Sequence, residues 1–449
     1  MVVSANMSAP LPVRIAQTLL PWSWPGRVAF RFAFCYLALF CLGMVDILRL
    51  FIAFFAFHAE PSGMLDFLWG RLVPWVAVHL MRMPSPGLDG DSDSVFGYVL
   101  TACQLFLAAG ATLIWSLLDR RRTEYRVLLG WLRRTVSLLL ACVLFSYGTD
   151  KVFPLQFGRV SLVRLSQRVG DLDLFNLLWM FMAGSTAYTI FSGALEILAG
   201  LVLLIPRFET LGALLAMGVM TNVLVLNMTY DVPVKLFAAH LLLCAIFLAV
   251  CNGRRIAGVL LSDRAIEARV QVPLASRAWL NRTATIVQPA AGLAILTLFT
   301  LVMFRTYHDR QRKAAPSPLY GIWAVDELRL TGNPPGPLLT PKLAEQMKVL
   351  PGEDRWQQLI VDSAQDSALR LGNGALDQIT FKVDAAGKTA SLTDSADAAW
   401  KCDLRIDRPS EGLLNLGGQI NGVEASVRLH RLPTEKLRLL TSHFQWVRH

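Results

Sequence analysis

Apolar residues run in long, nearly unbroken stretches from residue 28 to residue 306, whereas beyond residue 307 apolar and polar positions alternate in short segments. A helix that crosses a bilayer needs about 20 mostly apolar residues. On that rule the chain predicts seven spans, near 28–54, 95–118, 128–149, 186–206, 209–229, 233–252 and 286–306. Residues 65–82 are apolar too, but Pro74 breaks them and they carry Arg71 and His79, so they predict an interfacial or re-entrant piece. Residues 174–185 predict a short separate helix leading into the fourth span. The polar stretch 308–318, HDRQRKAAPSP, reads as a linker.

Beyond the linker, period-two alternation marks nine candidate strands, near 320–331, 355–363, 367–372, 376–384, 388–394, 400–407, 411–418, 422–432 and 437–447. Asp384-Ala385-Ala386-Gly387 and Asn421-Gly422 are hairpin turns by composition. Many short strands with short connections predict an antiparallel β-barrel or sandwich. Gly321-Ile322-Trp323 resembles the opening of lipocalin-like barrels, which implies that Trp323 plugs one end, with Trp446 beside it. A barrel of this size is either filled by side chains or holds one small ligand. Asp362, Asp366 and the nearby histidines show no triad or metal spacing and read as solvated surface. The predicted fold is therefore an α-helical polytopic membrane protein with a C-terminal antiparallel β-barrel or sandwich. Its expected parts are an N-terminal membrane region with two spans (1–125), a four-helix membrane bundle (126–262), a loop with the last span and linker (263–318), and a soluble β domain (319–449).

Composition agrees with lipid as the solvent. Hydrophobic residues make up 54% of the chain and charged residues 17%, with a mean hydropathy of +0.45, against about a quarter charged in soluble domains. The net charge of +10 is concentrated in short loops: Arg27 and Arg31, then Arg120, Arg121, Arg122 and Arg126, then Arg207, then Arg254, Arg255, Arg264 and Arg269. All fall on one side, which the positive-inside rule makes cytoplasmic. The first outer loop carries Asp89, Asp91 and Asp93 instead. The expectation is a bacterial-type cytoplasmic (inner) membrane protein, N-terminus inside and C-terminal domain on the outer, periplasmic side. Arg305, Arg310, Arg312 and Lys313 run against that assignment. The first 26 residues lack the uninterrupted apolar run of a secretory signal. No zinc-finger spacing or basic groove with interleaved aromatics occurs, so no nucleic-acid partner is expected. Six of seven cysteines lie in apolar stretches without CxxC or metal spacing, and act as small hydrophobes.

Ionisable groups within spans are costly and mark candidate sites. In the fourth span Ser185, Tyr188, Ser192 and Glu196 recur every three or four residues, which predicts one polar helix face. Glu196, near mid-span, must be neutral or paired with a cation. The fifth span offers Asn222, with Asn227 and Thr229 nearer its end; the turn Tyr230–Lys235 contributes Asp231 and Lys235. His240 sits about 10 Å into the sixth span by helical rise, and Lys151 ends the third beside Tyr147. Together they predict a polar cavity opening outward with Glu196 near its floor. The structural alternative is interhelical hydrogen bonding, an i,i+4 pair between Asp231 and Lys235, and a snorkelling Lys151. Asp46 and Arg49 read as a structural ion pair.

Residues 126–262 resemble the DoxX-like membrane family, through YGTDKVF (147–153), SGALEILAGLVLLIPR (192–207), TLGALLAMG (210–218) and NVLVLNMTYDVPVKLFAAHLLL (222–243). The family pattern of Gly-x-x-Lys ending one helix, then a central Glu followed by Gly, falls on Gly148, Lys151, Glu196 and Gly200. The resemblance implies a four-helix bundle and, because the family name comes from a subunit of a thiosulfate:quinone oxidoreductase, a link to quinone chemistry. It leads to the expectation of a subunit or binding protein for a quinone-like lipophilic molecule. Two rivals stand beside it: an enzyme using Glu196 or His240 as a base, and a lipid-handling protein whose barrel binds the ligand. The sequence carries no motif for iron, flavin or nucleotide, so redox catalysis would require a partner subunit that brings the cofactor.

Overall fold

The apolar runs fold as helices. The computed structural model describes residues 21–57, 66–87, 92–261, 273–313, 317–331, 338–350, 352–384, 386–394, 396–397 and 399–441. The side chains of Asp46 and Arg49, and Trp446, lie outside this description. In chain order the helices are α1 (Trp24–Phe57), α2 (Asp66–His79), α3 (Val95–Leu118), α4 (Arg126–Val152), α5 (Leu162–Ser166), α6 (Leu174–Gly184), α7 (Thr186–Leu204), α8 (Glu209–Thr229), α9 (Lys235–Val250), α10 (Gly253–Leu261), α11 (Ala278–Lys313), α12 (Pro341–Gln346) and α13 (Arg438–Thr441). Among the described residues six helices are long and apolar enough to cross a membrane, or seven if the bent pair α9–α10, turned by 74°, counts as one span. The chain is a polytopic α-helical membrane protein.

Several boundaries follow from local chemistry. Ser94 accepts a hydrogen bond from the Gly97 N–H and starts α3. The last span extends in both directions beyond the apolar run, and the stretch read as a linker is helical to Lys313, since no proline or glycine interrupts it before Pro316. α2 has 14 residues with Pro74 inside, a length of about 21 Å that falls short of the hydrocarbon thickness. Its Trp69, Val73 and Ala77 pack on Val99 and Cys103 of α3.

α4 is the centre of the helical unit, which comprises residues 1–156 and 187–306. Its Val136, Leu140, Leu144 and Phe145 are buried against α1, α7, α8 and α9, with Phe299 of α11 in the same cluster. Two arginines are engaged within the helical unit. Arg31 is buried, and its guanidinium donates to the Tyr125 hydroxyl, the Ser116 Oγ at 2.9 Å and the Asp119 carbonyl at 2.6 Å. Arg133 grips Glu209 with two hydrogen bonds, 2.7 and 3.1 Å.

The second unit contains residues 307–449 and also 157–186, the segment between α4 and α7. Its core is a closed antiparallel barrel of eight strands, β1 (Gly321–Leu330), β2 (Trp356–Val361), β3 (Ser367–Leu371), β4 (Leu376–Val383), β5 (Thr389–Asp394), β6 (Lys401–Ser410), β7 (Leu413–Ile420) and β8 (Val423–Leu432), each paired with the next and β8 with β1. Within the ninth candidate strand the described residues 438–441 are helical, since β8 already closes on β1 and leaves no edge there to extend; residues 442–447 lie outside the described residues. Asn421 and Gly422, both at positive φ, make the two-residue turn between β7 and β8, as a type I′ hairpin requires. The interior is packed with side chains, Leu359, Leu369, Leu392, Leu414, Val427 and Leu429 all being fully buried. Trp323 is fully buried there and donates to the Leu319 carbonyl at 2.9 Å; Trp400 does the same to Leu338.

Residues 157–186 act as a strap on the barrel. Leu162 and Val163 pack on Ile322, Ile360 and Ala368. Asp362 is buried rather than solvated: it pairs with Arg159 and accepts the Leu162 N–H at 3.0 Å. Two further carboxyls, Asp377 and Asp394, are buried on inward positions of β4 and β5, and Asp394 accepts the N–H groups of Ala396 and Asp397. Burial, and then Asp394 beside it, pushes the Asp377 carboxyl from 3.8 up to about 8. Its proton thus favours the folded state, fully so below pH 3.8, and that contribution is lost as pH rises through about 8. Denaturant unfolding of the barrel should therefore show stability falling from pH 5 to pH 9, by at most about 1.4 kcal/mol per pH unit for one proton. Asp377→Asn should remove most of that slope; an unchanged slope would refute the assignment.

Candidate functional site

Helices α4 and α7 touch backbone to backbone. A Cβ on Gly193 would lie 2.5 Å from the Gly148 carbonyl oxygen and 2.7 Å from the Lys151 Cβ; one on Gly148 would lie 2.8 Å from the Gly193 oxygen. Gly200, two turns further along α7, takes the ring of Phe145. Within this glycine contact Lys151 donates to Glu196 Oε2 at 3.0 Å, both side chains being buried (7% and 4% exposed). Gly148, Lys151, Glu196 and Gly200, the residues that carry the sequence resemblance, thus meet in one interface. Gly212 likewise lets α8 close on Leu203, whereas Gly218 has nothing within 4 Å.

His240 belongs to a second polar pair. Its Nδ1 lies 2.7 Å from the Leu236 carbonyl, which can only accept, so Nδ1 carries the hydrogen and Nε2 accepts the Tyr36 hydroxyl at 2.5 Å. Both residues are buried. A row of aromatic rings joins the two pairs. The Lys151 ammonium is 5.5 Å from the Tyr147 ring, Tyr147 is 6.4 Å from Phe237, Phe237 is 6.3 Å from Phe40, and Phe40 stacks on His240 at 4.8 Å. Tyr36, Phe40 and Phe237 escape a reading of the sequence because their polar or ring partners lie on other helices. The one available signal is the Tyr36 hydroxyl in an apolar run, since a buried phenol needs a partner.

The other expected residues do not converge on these pairs. On α7 each four-residue step overshoots a full turn by about 40°, so Tyr188, two steps from Glu196, faces outward and is 42% exposed. Ser192 donates to the Thr189 carbonyl of its own helix, and Ser185 ends α6. Asn222 is exposed, while Asn227 is buried with its amide nitrogen lacking a hydrogen-bond partner among the described residues. Lys235 binds Asp231 at 2.7 Å and Asp93 at 3.4 Å, and Asp231 is exposed. Asp93 also accepts the N–H groups of Lys235 and Leu236 and so caps α9 from a distant loop. Although burial works to raise its pKa, those two hydrogen bonds and the lysine outweigh it and hold the carboxyl below the ordinary range.

Gly193→Ala should force α4 and α7 apart and lower the midpoint of thermal unfolding in detergent by several degrees, since the clash is with backbone. Gly218→Ala, in open space, should leave it unchanged. Equal behaviour of the two variants would show that the close contact is not needed.

No family model and no solved structure matches the chain. Over 125 residues, 28% of this chain, it is 34% identical to the uncharacterized protein YwoB of Bacillus subtilis (strain 168), of which the match spans 79%. With that identity across most of YwoB, the chain belongs to the same family as YwoB.

Proposed function

We propose that the helical bundle binds the polar head of a flat, lipophilic small molecule of quinone type between the Lys151–Glu196 pair and the Tyr36–His240 pair. The observation that carries this reading is the aromatic row Tyr147–Phe237–Phe40–His240, a wall of rings with a cationic donor at one end and a phenol–imidazole pair at the other. An ammonium has three protons to donate, and among the described residues one goes to Glu196. The others suit a carbonyl oxygen. The barrel is the weaker candidate for a ligand, since its interior is occupied by its own side chains. Any redox step would use a cofactor carried by a partner subunit.

The proposed setting is a bacterial-type inner membrane with the arginine-rich loops inside. The strap leaves the membrane after α4 and the barrel after α11, and both belong to one compact unit. In this reading both lie on the same side, with four crossings between them, α7, α8, α9 and α11.

Mass spectrometry of small molecules that co-purify with the full chain tests the reading. Glu196→Gln should lose the molecule and also destabilise the bundle by about 3–5 kcal/mol, because a buried ammonium is left unpaired. The double variant Lys151→Met with Glu196→Leu keeps an apolar, filled interface and should restore stability but not the molecule. Retention by the double variant would make the pair purely structural and end the proposal.

A further inference from the structure

The strap carries features that its grip on the barrel does not use. Helix α6 exposes Leu174 and Leu177, one turn apart on one face, and the preceding turn exposes Val169. A Cβ on Gly184, where α6 ends, would lie 3.8 Å from Leu439, and Leu439 and Leu440 are exposed beside it. Apolar surface thus continues from the strap onto the barrel unit. Contiguous exposed apolar surface of this kind marks an interaction site. Trp179 stacks on Phe175 at 3.9 Å and meets Phe157 edge-on, giving the helix the aromatic content typical of a membrane boundary.

Arginines with unspent donors lie on and against the N-terminal part of the strap. Arg168 lies over Gly374, where a Cβ would come within 3.0 Å of its Nη2, and close enough to Arg370 for the two charges to repel, Asp171 offsetting part of that. Arg370 itself is held by Gln358 at 3.1 Å and by the Ser166 carbonyl. Arg164 Nη1 is buried and has no hydrogen-bond partner among the described residues. Juxtaposed guanidinium groups of this kind call for an anion with several oxygens.

We propose that the strap is a membrane-surface anchor, in which the apolar face of α6 with Leu439 and Leu440 enters the headgroup region of the bilayer, and Arg168 beside Arg370 takes the phosphate of an anionic lipid. Chain connectivity selects lipid over other occupants: α6 ends at Gly184 and the spanning helix α7 begins at Thr186, so one residue separates the two helices. An apolar helix with flanking arginines in that position lies in the interface plane.

A photoreactive benzophenone amino acid at position 177 tests this in the full chain, in nanodiscs of equal phosphatidylglycerol and phosphatidylcholine. The expected product is a phospholipid adduct on the peptide containing residue 177. A crosslink to residues 442–449, to a second copy of the chain, or no crosslink at all would overturn the anchor. With Arg168→Gln the phosphatidylglycerol share of the adduct should fall about fivefold, the equivalent of about 1 kcal/mol for one basic residue at an anionic surface. An unchanged share would overturn the headgroup contact.

Discussion

The buried contact between Lys151 and Glu196 constrains everything around it. Each charge, taken alone into the bundle, would cost several kcal/mol, and only their mutual attraction at close range offsets this. That range demands that two helix backbones touch, hence glycine at both Gly148 and Gly193. With α7 pressed onto α4, Gly200 receives Phe145. α4 then becomes the buried axis on which α1, α8 and α9 assemble. Glutamate in the middle of an apolar helix is thereby converted from a liability into the element that sets the register of α4 against α7.

Two kinds of order are present, and they differ in how much of them a sequence displays. Helix α3 begins where its apolar run does because Ser94 caps it. The hairpin at Asn421-Gly422 is legible because only such residues adopt two successive positive φ values cheaply. What stays hidden is pairing across distance. Asp362 reads as a surface residue until Arg159, from a separate part of the chain, covers it. Asp93 looks like a loop charge and turns out to cap α9. Tyr188 shares the spacing of Glu196 yet points away, since a four-residue repeat drifts around the helix rather than holding one face.

The two units handle charge by different means. In the bundle, ions and dipoles are matched to each other inside apolar surroundings, as Lys151 with Glu196 and Tyr36 with His240. In the barrel the interior is hydrocarbon and indole, and the polar groups that do enter are held by backbone N–H groups, as Asp394 is, or by a proton, as Asp377 is. Closure of β8 on β1 leaves the sheet with no open edge.

The strap reaches its place across a long interval of chain. Arg159 and its partner Asp362 are separated by 203 residues, which at ribosomal rates is on the order of ten to forty seconds of synthesis. During that time the apolar Leu162 and Val163 stay unmatched, because Ile322, Ile360 and Ala368, on which they pack, have yet to be made. Maturation is therefore ordered: the barrel, made last, is what completes a part of the protein that was translated first. Any chain released early would leave Leu162 and Val163 without the barrel residues that cover them.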